Sequence, residues 1–205
     1  MNFNYENRGG RPNEMGDNLR ATLFPAGRVP KSVHAQNDIS CVIFTDGAVT
    51  CFGRASAGEL GLESLNDRGK GANEMGPGTQ FVNLGSGRTA SDVRPGLGTV
   101  ACGILDDSRF KCWGQGNLAQ GTNMQAGHAA GTMGDALPPV FLGPGNSASR
   151  IQALTVGREH VCVLYPDRRV KCFGDAQCAL GIDACRRLGA TNDMLGDNVP
   201  FVSLL

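Results

Sequence analysis

The sequence predicts an all-β chain built from three copies of one antiparallel unit. Three observations carry that prediction: cysteines recur in pairs of fixed spacing, a second short marker recurs in step with them, and glycine is frequent and evenly scattered. Cys41 and Cys51 stand ten residues apart, as do Cys102 and Cys112, and Cys162 and Cys172. The second member of each pair opens a Cys-aromatic-Gly tripeptide: Cys51-Phe52-Gly53, Cys112-Trp113-Gly114 and Cys172-Phe173-Gly174. The other marker reads Met15-Gly16-Asp17, Met75-Gly76, Met133-Gly134-Asp135 and Leu195-Gly196-Asp197, recurring every sixty or so residues. With 30 glycines in 205 residues the chain is full of turns, which argues against long helices.

The elements of a unit follow from the third copy. Ile151, Ala153 and Val156 form a first strand that ends at Gly157. His160 to Tyr165 is a run of β-formers, Pro166-Asp167-Arg168 is a turn, and Val170 to Gly174 returns. A long polar loop follows, too glycine-rich for a helix in its first-unit version, Gly58-Glu59-Leu60-Gly61-Leu62. After each marker comes a short apolar stretch that reads as a last strand: Leu19 to Phe24, Gln80 to Leu84, Leu137 to Leu142 and Val199 to Leu204. Four short antiparallel strands in about sixty residues is the size of a propeller blade. The units run over 25–84, 85–142 and 143–205, in a single repeat domain. Residues 1–24 form an N-terminal segment whose Leu19 to Phe24 stretch is an outer strand without a blade. Closed propellers use roughly 4–8 blades, so three form an arc. The expected fold is an incomplete β-propeller of about three four-stranded blades plus an extra N-terminal strand.

These motifs resemble the repeats of the regulator of chromosome condensation family. The third unit carries Gly157, His160, Cys162 and then Val170-Lys171-Cys172-Phe173-Gly174. The first has Asp46-Gly47 at the turn and Gly58-Glu59-Leu60-Gly61 in the loop, and the second has Lys111-Cys112-Trp113-Gly114. Ile39 and Val100 stand at the position that His160 fills. The resemblance implies a β-propeller of about seven blades in typical members. It also makes nucleotide exchange on a small GTPase thinkable, although no residue here carries that activity over.

The cysteine spacing centres the three hairpins on Asp46, Asp107 and Asp167, a residue type that suits turns. Residues symmetric about a turn centre lie opposite each other, so each cysteine pair is cross-strand and within disulfide reach. Two readings stay open: three bridges stapling three blades, or buried free thiols packing as small apolar side chains. The pairing in all three units favours bridges; the polar N-terminus, without a signal-peptide stretch, argues for a reducing compartment. Cys178 and Cys185 lie together in the loop after Phe173-Gly174 and are a fourth disulfide candidate. Phe52, Trp113 and Phe173 share one position and read as packing between blades, and His160 reads as a structural hydrogen-bonding residue.

Lys plus Arg and Asp plus Glu are both 19, so the chain lacks the basic excess of a nucleic-acid binder. No apolar run is long enough for a membrane span. His34, His128 and His160 lie in no nucleophile or zinc-protease motif, and there is no phosphate-binding loop. Gly85-Ser86-Gly87-Arg88 and Gly143-Pro144-Gly145 share one phase of the repeat and read as turns between strands. Asp17, Asp135 and Asp197 read as caps of local turns, and Arg168-Arg169 and Arg186-Arg187 as solvated turns. The expectation is a non-enzymatic scaffold without cofactor or metal, one form of which is a structural subunit of a large organellar complex. Another protein subunit or a second copy would cover the open ends of the arc, where Phe52 and Phe173 are expected to lie wet.

Overall fold

The computed structural model describes residues 10–71, 73–116, 125–143, 151–175, 180–182, 187–189, 194 and 196–203. Among these residues, nine strands form three separate antiparallel sheets. Blade 1 holds β1 (Pro30–Gln36), β2 (Ile39–Phe44) and β3 (Val49–Gly53). Blade 2 holds β4 (Ala90–Pro95), β5 (Val100–Leu105) and β6 (Phe110–Gly114). Blade 3 holds β7 (Ala153–Val156), β8 (His160–Leu164) and β9 (Val170–Gly174). The only helices among the described residues are single 3₁₀ turns, all at the Met-Gly-type markers. The chain is therefore the expected all-β incomplete propeller. β4 packs against β1 and β2 on one side and against β7 on the other, so the first strands of the blades are neighbours along the arc.

The tight turn between the second and third strands repeats with one chemistry. The Asp46, Asp107 and Asp167 carboxylates each accept the backbone N–H two residues on, from Ala48, Arg109 and Arg169, at 3.1 Å in each case. The residue after each Asp has a left-handed backbone: Gly47 at φ 77°, Ser108 at 67° and Arg168 at 68°. Only the first unit places there the glycine that this conformation favours.

The fourth element of each blade differs from the expected strand. Residues 80–84, 137–142 and 199–202 run extended and pair with the third strand at most at one isolated bridge, that of Phe201 with Lys171. Val82 N–H donates to Val49 O (2.8 Å), Val140 to Phe110 O (2.9 Å) and Val202 to Val170 O (2.8 Å). Each blade is thus three strands and an outer segment. The 3₁₀ turn directly before the segment breaks the strand, because its glycine adopts a left-handed backbone in every copy: φ 66° at Gly16, 66° at Gly76, 64° at Gly134 and 67° at Gly196.

Two apolar cores lie between blades. One joins the Ile39, Cys41, Ile43 and Cys51 face of blade 1 to Val93, Ala101, Leu105 and Trp113 of blade 2. The other joins Val100, Cys102, Ile104 and Cys112 of blade 2 to Leu154, Val161, Val163 and Phe173 of blade 3. Trp113 is fully buried, and its indole N–H donates to Glu59 O at 3.1 Å, clamping the Gly58–Gly61 loop of blade 1 onto blade 2. Truncating such a ring costs about 3–5 kcal/mol.

A polar latch joins the same neighbours. The marker glycine of each blade donates its N–H to the preceding outer segment: Gly76 to Leu23 O (3.0 Å), Gly134 to Asn83 O (3.0 Å), Gly196 to Phe141 O (3.3 Å). Lys111 and Lys171 are buried beside these contacts. The Lys111 ammonium donates to Leu84 O (2.9 Å) and Gly134 O (2.7 Å), and that of Lys171 to Leu142 O (3.0 Å) and Gly196 O (3.2 Å). Thr50 fills the equivalent place in blade 1 and donates its hydroxyl to Gln80 O at 2.7 Å. The Asp135 carboxylate accepts the Ser86 N–H and hydroxyl, 49 residues back in sequence. Asp135 therefore caps the turn that enters its own blade, not a local turn, because the latch folds the marker back over the start of the blade.

Candidate interaction surfaces

The three blades place their disulfides at one structural position. Cys41 is bonded to Cys51, Cys102 to Cys112 and Cys162 to Cys172, with Cα atoms 4.1, 4.0 and 4.1 Å apart and each pair directly opposite in the ladder. Each closes a loop of about eleven residues, which in the chain-entropy account removes roughly 2.8 kcal/mol of unfolded-state freedom. Cys178 and Cys185 lie outside the described residues.

The packing residues divide by blade. Trp113 and Phe173 are fully buried between blades, whereas Phe52 is half-buried, with no earlier blade against it among the described residues. Phe173 thus departs from the expectation of a wet aromatic at each end: its face of blade 3 looks back at blade 2, where it meets Phe110 with ring centroids 6.2 Å apart. On the disulfide face of blade 3, His160, Cys162, Leu164 and Val170 are half-buried. The His160 ring lies over Gly157, where an added Cβ would come within 2.3 Å of it, so a glycine is required beneath that histidine.

The N-terminal edge is the apolar surface. Ladder register makes Val33, Val93 and Leu154 equivalent, since they pair with Val42, Gly103 and Val163 at the same step from the disulfide. Val33 is 64% exposed, against 0% and 5% for the other two. Met15 is 57% exposed against 2% for Met133, and Leu19 is 48% exposed against 1% for Leu137. Leu23 and Val29 are also exposed in this region. The Leu19 to Phe24 stretch runs extended without becoming a strand. It is held by the Gly76 N–H and by Phe24, whose ring meets Phe44 edge-on at 5.3 Å. Thr22 occupies the position of Val82, Val140 and Val202, and no strand lies beside it among the described residues.

Two polar features were not singled out in the sequence. His34, Asp92 and Arg94 meet where β1 and β4 approach: Arg94 binds Asp92 at 3.0 Å, its guanidinium is 3.0 Å from His34 Nδ1, and His34 Nε2 is 3.5 Å from Asp92. Burial, and then the Arg94 charge, hold the His34 pKa below its ordinary value. The signal was the repeat register, since His34 and Arg94 each pair with the first cysteine of their blade. The second feature is a depression of about 520 Å³ among the loops that join the first and second strands of the blades. Asp38, Arg54, Leu97, Arg158 and Glu159 line it with mixed charge around one exposed leucine. Glu59, also in its wall, is occupied internally, accepting from the Ser56 hydroxyl and the Ala57 N–H. Among the described residues, no group of three His, Cys, Asp or Glu side chains could hold a metal ion.

No family model matches the chain, and no curated protein matches it in sequence. Solved structures do. Human WBSCR16 aligns with a TM-score of 0.58 at 14% identity, over 87% of this chain and 41% of that one. The Saccharomyces cerevisiae protein Prp20 aligns with a TM-score of 0.57 at 11% identity, over 85% of this chain and 38% of its own, in a structure reported with its binding to Gsp1p and histones. Yeast RCC1 (Prp20) bound to Kap60 aligns with a TM-score of 0.55 at 12% identity, over 79% of this chain and 36% of its own. The chain thus spans about two-fifths of the structures it resembles, and it shares with them the RCC1-like propeller fold.

Proposed function

We propose that the chain is a non-enzymatic scaffold that binds another protein along its N-terminal edge. The observation that carries this reading is the contrast between equivalent positions: Met15, Leu19 and Val33 are exposed where Met133, Leu137 and Val93 are sealed. That surface has the apolar composition of a blade interface, and contiguous apolar surface of this kind marks protein contact sites. The extended Leu19 to Phe24 backbone adds a template for strand pairing, so the partner this edge suits presents a sheet edge and an apolar face. The likeness to Prp20, whose reported structures include Kap60 and binding to Gsp1p and histones, supports protein binding as the use of this fold. The absence of a nucleophile motif in the sequence favours a scaffold over a hydrolase.

The test is purification of the tagged full chain from its native source beside the double variant Leu23→Asp, Val33→Asp. Both side chains are already exposed, so the variant folds, and it is expected to lose the proteins that accompany the unaltered chain. An unchanged set of companions would refute the edge as the contact. The same fold supports a rival reading, exchange of nucleotide on a small GTPase, which an exchange assay decides. Release of bound nucleotide accelerated by catalytic amounts of the chain would replace the scaffold reading.

A further inference from the structure

The first strands of neighbouring blades are tied in two different ways. Between blades 2 and 3 the tie is backbone: the Leu97 N–H donates to Gly157 O at 3.1 Å, across the loops that follow β4 and β7. Glycines let those loops close, since a Cβ on Gly96 would come within 2.5 Å of Gly157 O and one on Gly98 within 2.2 Å of Arg158 O. Between blades 1 and 2, no backbone bond joins residues 37–38, after β1, to residues 97–99, after β4, among the described residues. Both of these loops line the depression of about 520 Å³. The polar tie between β1 and β4 is made instead by side chains, those of His34, Asp92 and Arg94.

That tie depends on one protonation state. An arginine only donates, so the 3.0 Å contact makes His34 Nδ1 an acceptor and leaves the imidazole proton on Nε2, facing Asp92 Oδ1 at 3.5 Å. The Asp92 carboxylate is already engaged within β4, accepting the Val93 N–H at 2.9 Å and the Arg94 Nε–H at 3.0 Å. We propose that His34, Asp92 and Arg94 form an acid-sensitive lock between blades 1 and 2, which holds β1 to β4 while the imidazole is neutral and lets the depression between their end loops widen when it is protonated. A proton on Nδ1 removes the acceptor that Arg94 uses and sets an imidazolium against a guanidinium. Attraction to Asp92 opposes this, but burial and then Arg94 outweigh it, so that the His34 pKa lies below its ordinary 6.5. The unfolded chain therefore binds the proton first as pH falls. The lock contributes fully above 6.5 and is lost as pH falls through the lower folded value. No other charged group competes at this position. β2, β5 and β7, the strands packed against β1 and β4, carry no charged side chain, the cysteines of β2 and β5 are in disulfides, and Lys31 of β1 is exposed. The tie between blades 2 and 3, being backbone, does not titrate.

Trp113, the one tryptophan of the chain, is buried in the core between blades 1 and 2 and reports on this joint. The test is acrylamide quenching of its fluorescence in the full chain, from pH 8 down to pH 5.5, above the carboxylate range. The quenching constant is expected to rise about twofold as the joint opens locally. His34→Gln keeps a neutral acceptor for Arg94 and a neutral donor for Asp92, and its quenching constant is expected to stay flat. His128, beside Gly58 at the same joint, is unaltered in that variant, so a rise that persists there would overturn the proposal. A flat profile in the unaltered chain would overturn it too. Nuclear magnetic resonance of the His34 ring decides the matter without relying on the variant's folding: its titration midpoint is expected below 6.5 and is expected to move up in Arg94→Gln. A midpoint at or above 6.5, or one that Arg94→Gln leaves unmoved, would refute the lock.

Discussion

Replacing Lys111 with methionine isolates the latch between blades 1 and 2. Lys111 is 5% exposed, and its ammonium donates to Leu84 O at 2.9 Å and to Gly134 O at 2.7 Å. Methionine keeps a flexible stem of similar length and removes both donors. Each carbonyl loses a charge-assisted bond, and a buried acceptor left unpaired costs about 1–3 kcal/mol. Against that stands the cost of keeping an ammonium out of water, visible as a Lys111 pKa lowered first by burial. Relief of that cost returns about 1–2 kcal/mol, leaving a net loss of about 2–3 kcal/mol. With a urea slope of about 2–3 kcal/mol per molar, the unfolding midpoint falls by about 1 M. Circular dichroism reads the midpoint, and native-state hydrogen exchange reads the place. The Gly134 and Leu137 amides, bonded to Asn83 O and Gly134 O, should lose protection before those of the β5–β6 ladder. Thr50→Val removes one neutral bond at the equivalent site, and its cost should be nearer 1 kcal/mol. A Lys111→Met chain as stable as the unaltered one would refute the latch as a source of stability.

Tyr165 occupies the position of Phe44 and Leu105, is buried, and has a hydroxyl without a partner among the described residues. Burial pushes its pKa to about 12. Tyr165→Phe should therefore raise stability, by about 1 kcal/mol in urea unfolding, and a loss instead would show that the hydroxyl is bonded. Acid should destabilise the chain through four carboxyls held below their ordinary pKa of 3.8: Asp135 by the Ser86 hydroxyl, Asp67 by Lys70, Asp167 by Arg169, and Asp107 by Arg109 over the opposing effect of burial. The unfolded chain binds more protons in that window, so stability rises with pH there and is lost as pH falls through the folded pKa values. Thermal midpoints measured from pH 5 down to pH 2 should fall steadily, and a flat profile would refute these assignments.

The repeat made the blades legible because each recurring residue has a local reason. An aspartate at the turn centre fixes the hairpin, the hairpin fixes the ladder, and the ladder sets Cys41 opposite Cys51. Pairing is governed within a dozen residues and so can be read from spacing. The outer segments were misread as strands because their apolar composition suits burial in any extended form. What decides the matter is the left-handed glycine just before them, whose N–H partner lies in the preceding outer segment. Lys111 and Lys171 went unread for a similar reason. A lysine in a strand of alternating pattern looks solvated, and its partners, Leu84 and Leu142, belong to the preceding outer segment.

That latch also explains why the two ends of the arc differ. Each marker reaches back to the outer segment before it, so contacts between blades run toward the N-terminus. Blade 3 uses its marker on the Leu137 to Leu142 segment and ends with its latch closed, leaving a half-buried disulfide face. The Leu19 to Phe24 segment receives the blade 1 marker through Leu23, but its own marker at Met15-Gly16-Asp17 reaches no earlier segment among the described residues. The apolar residues that a closed latch would bury, Met15 and Leu19, are consequently exposed there. The N-terminal edge exposes apolar side chains for the same physical reason that the blades cohere: among the described residues it presents one half of a contact the chain makes repeatedly elsewhere.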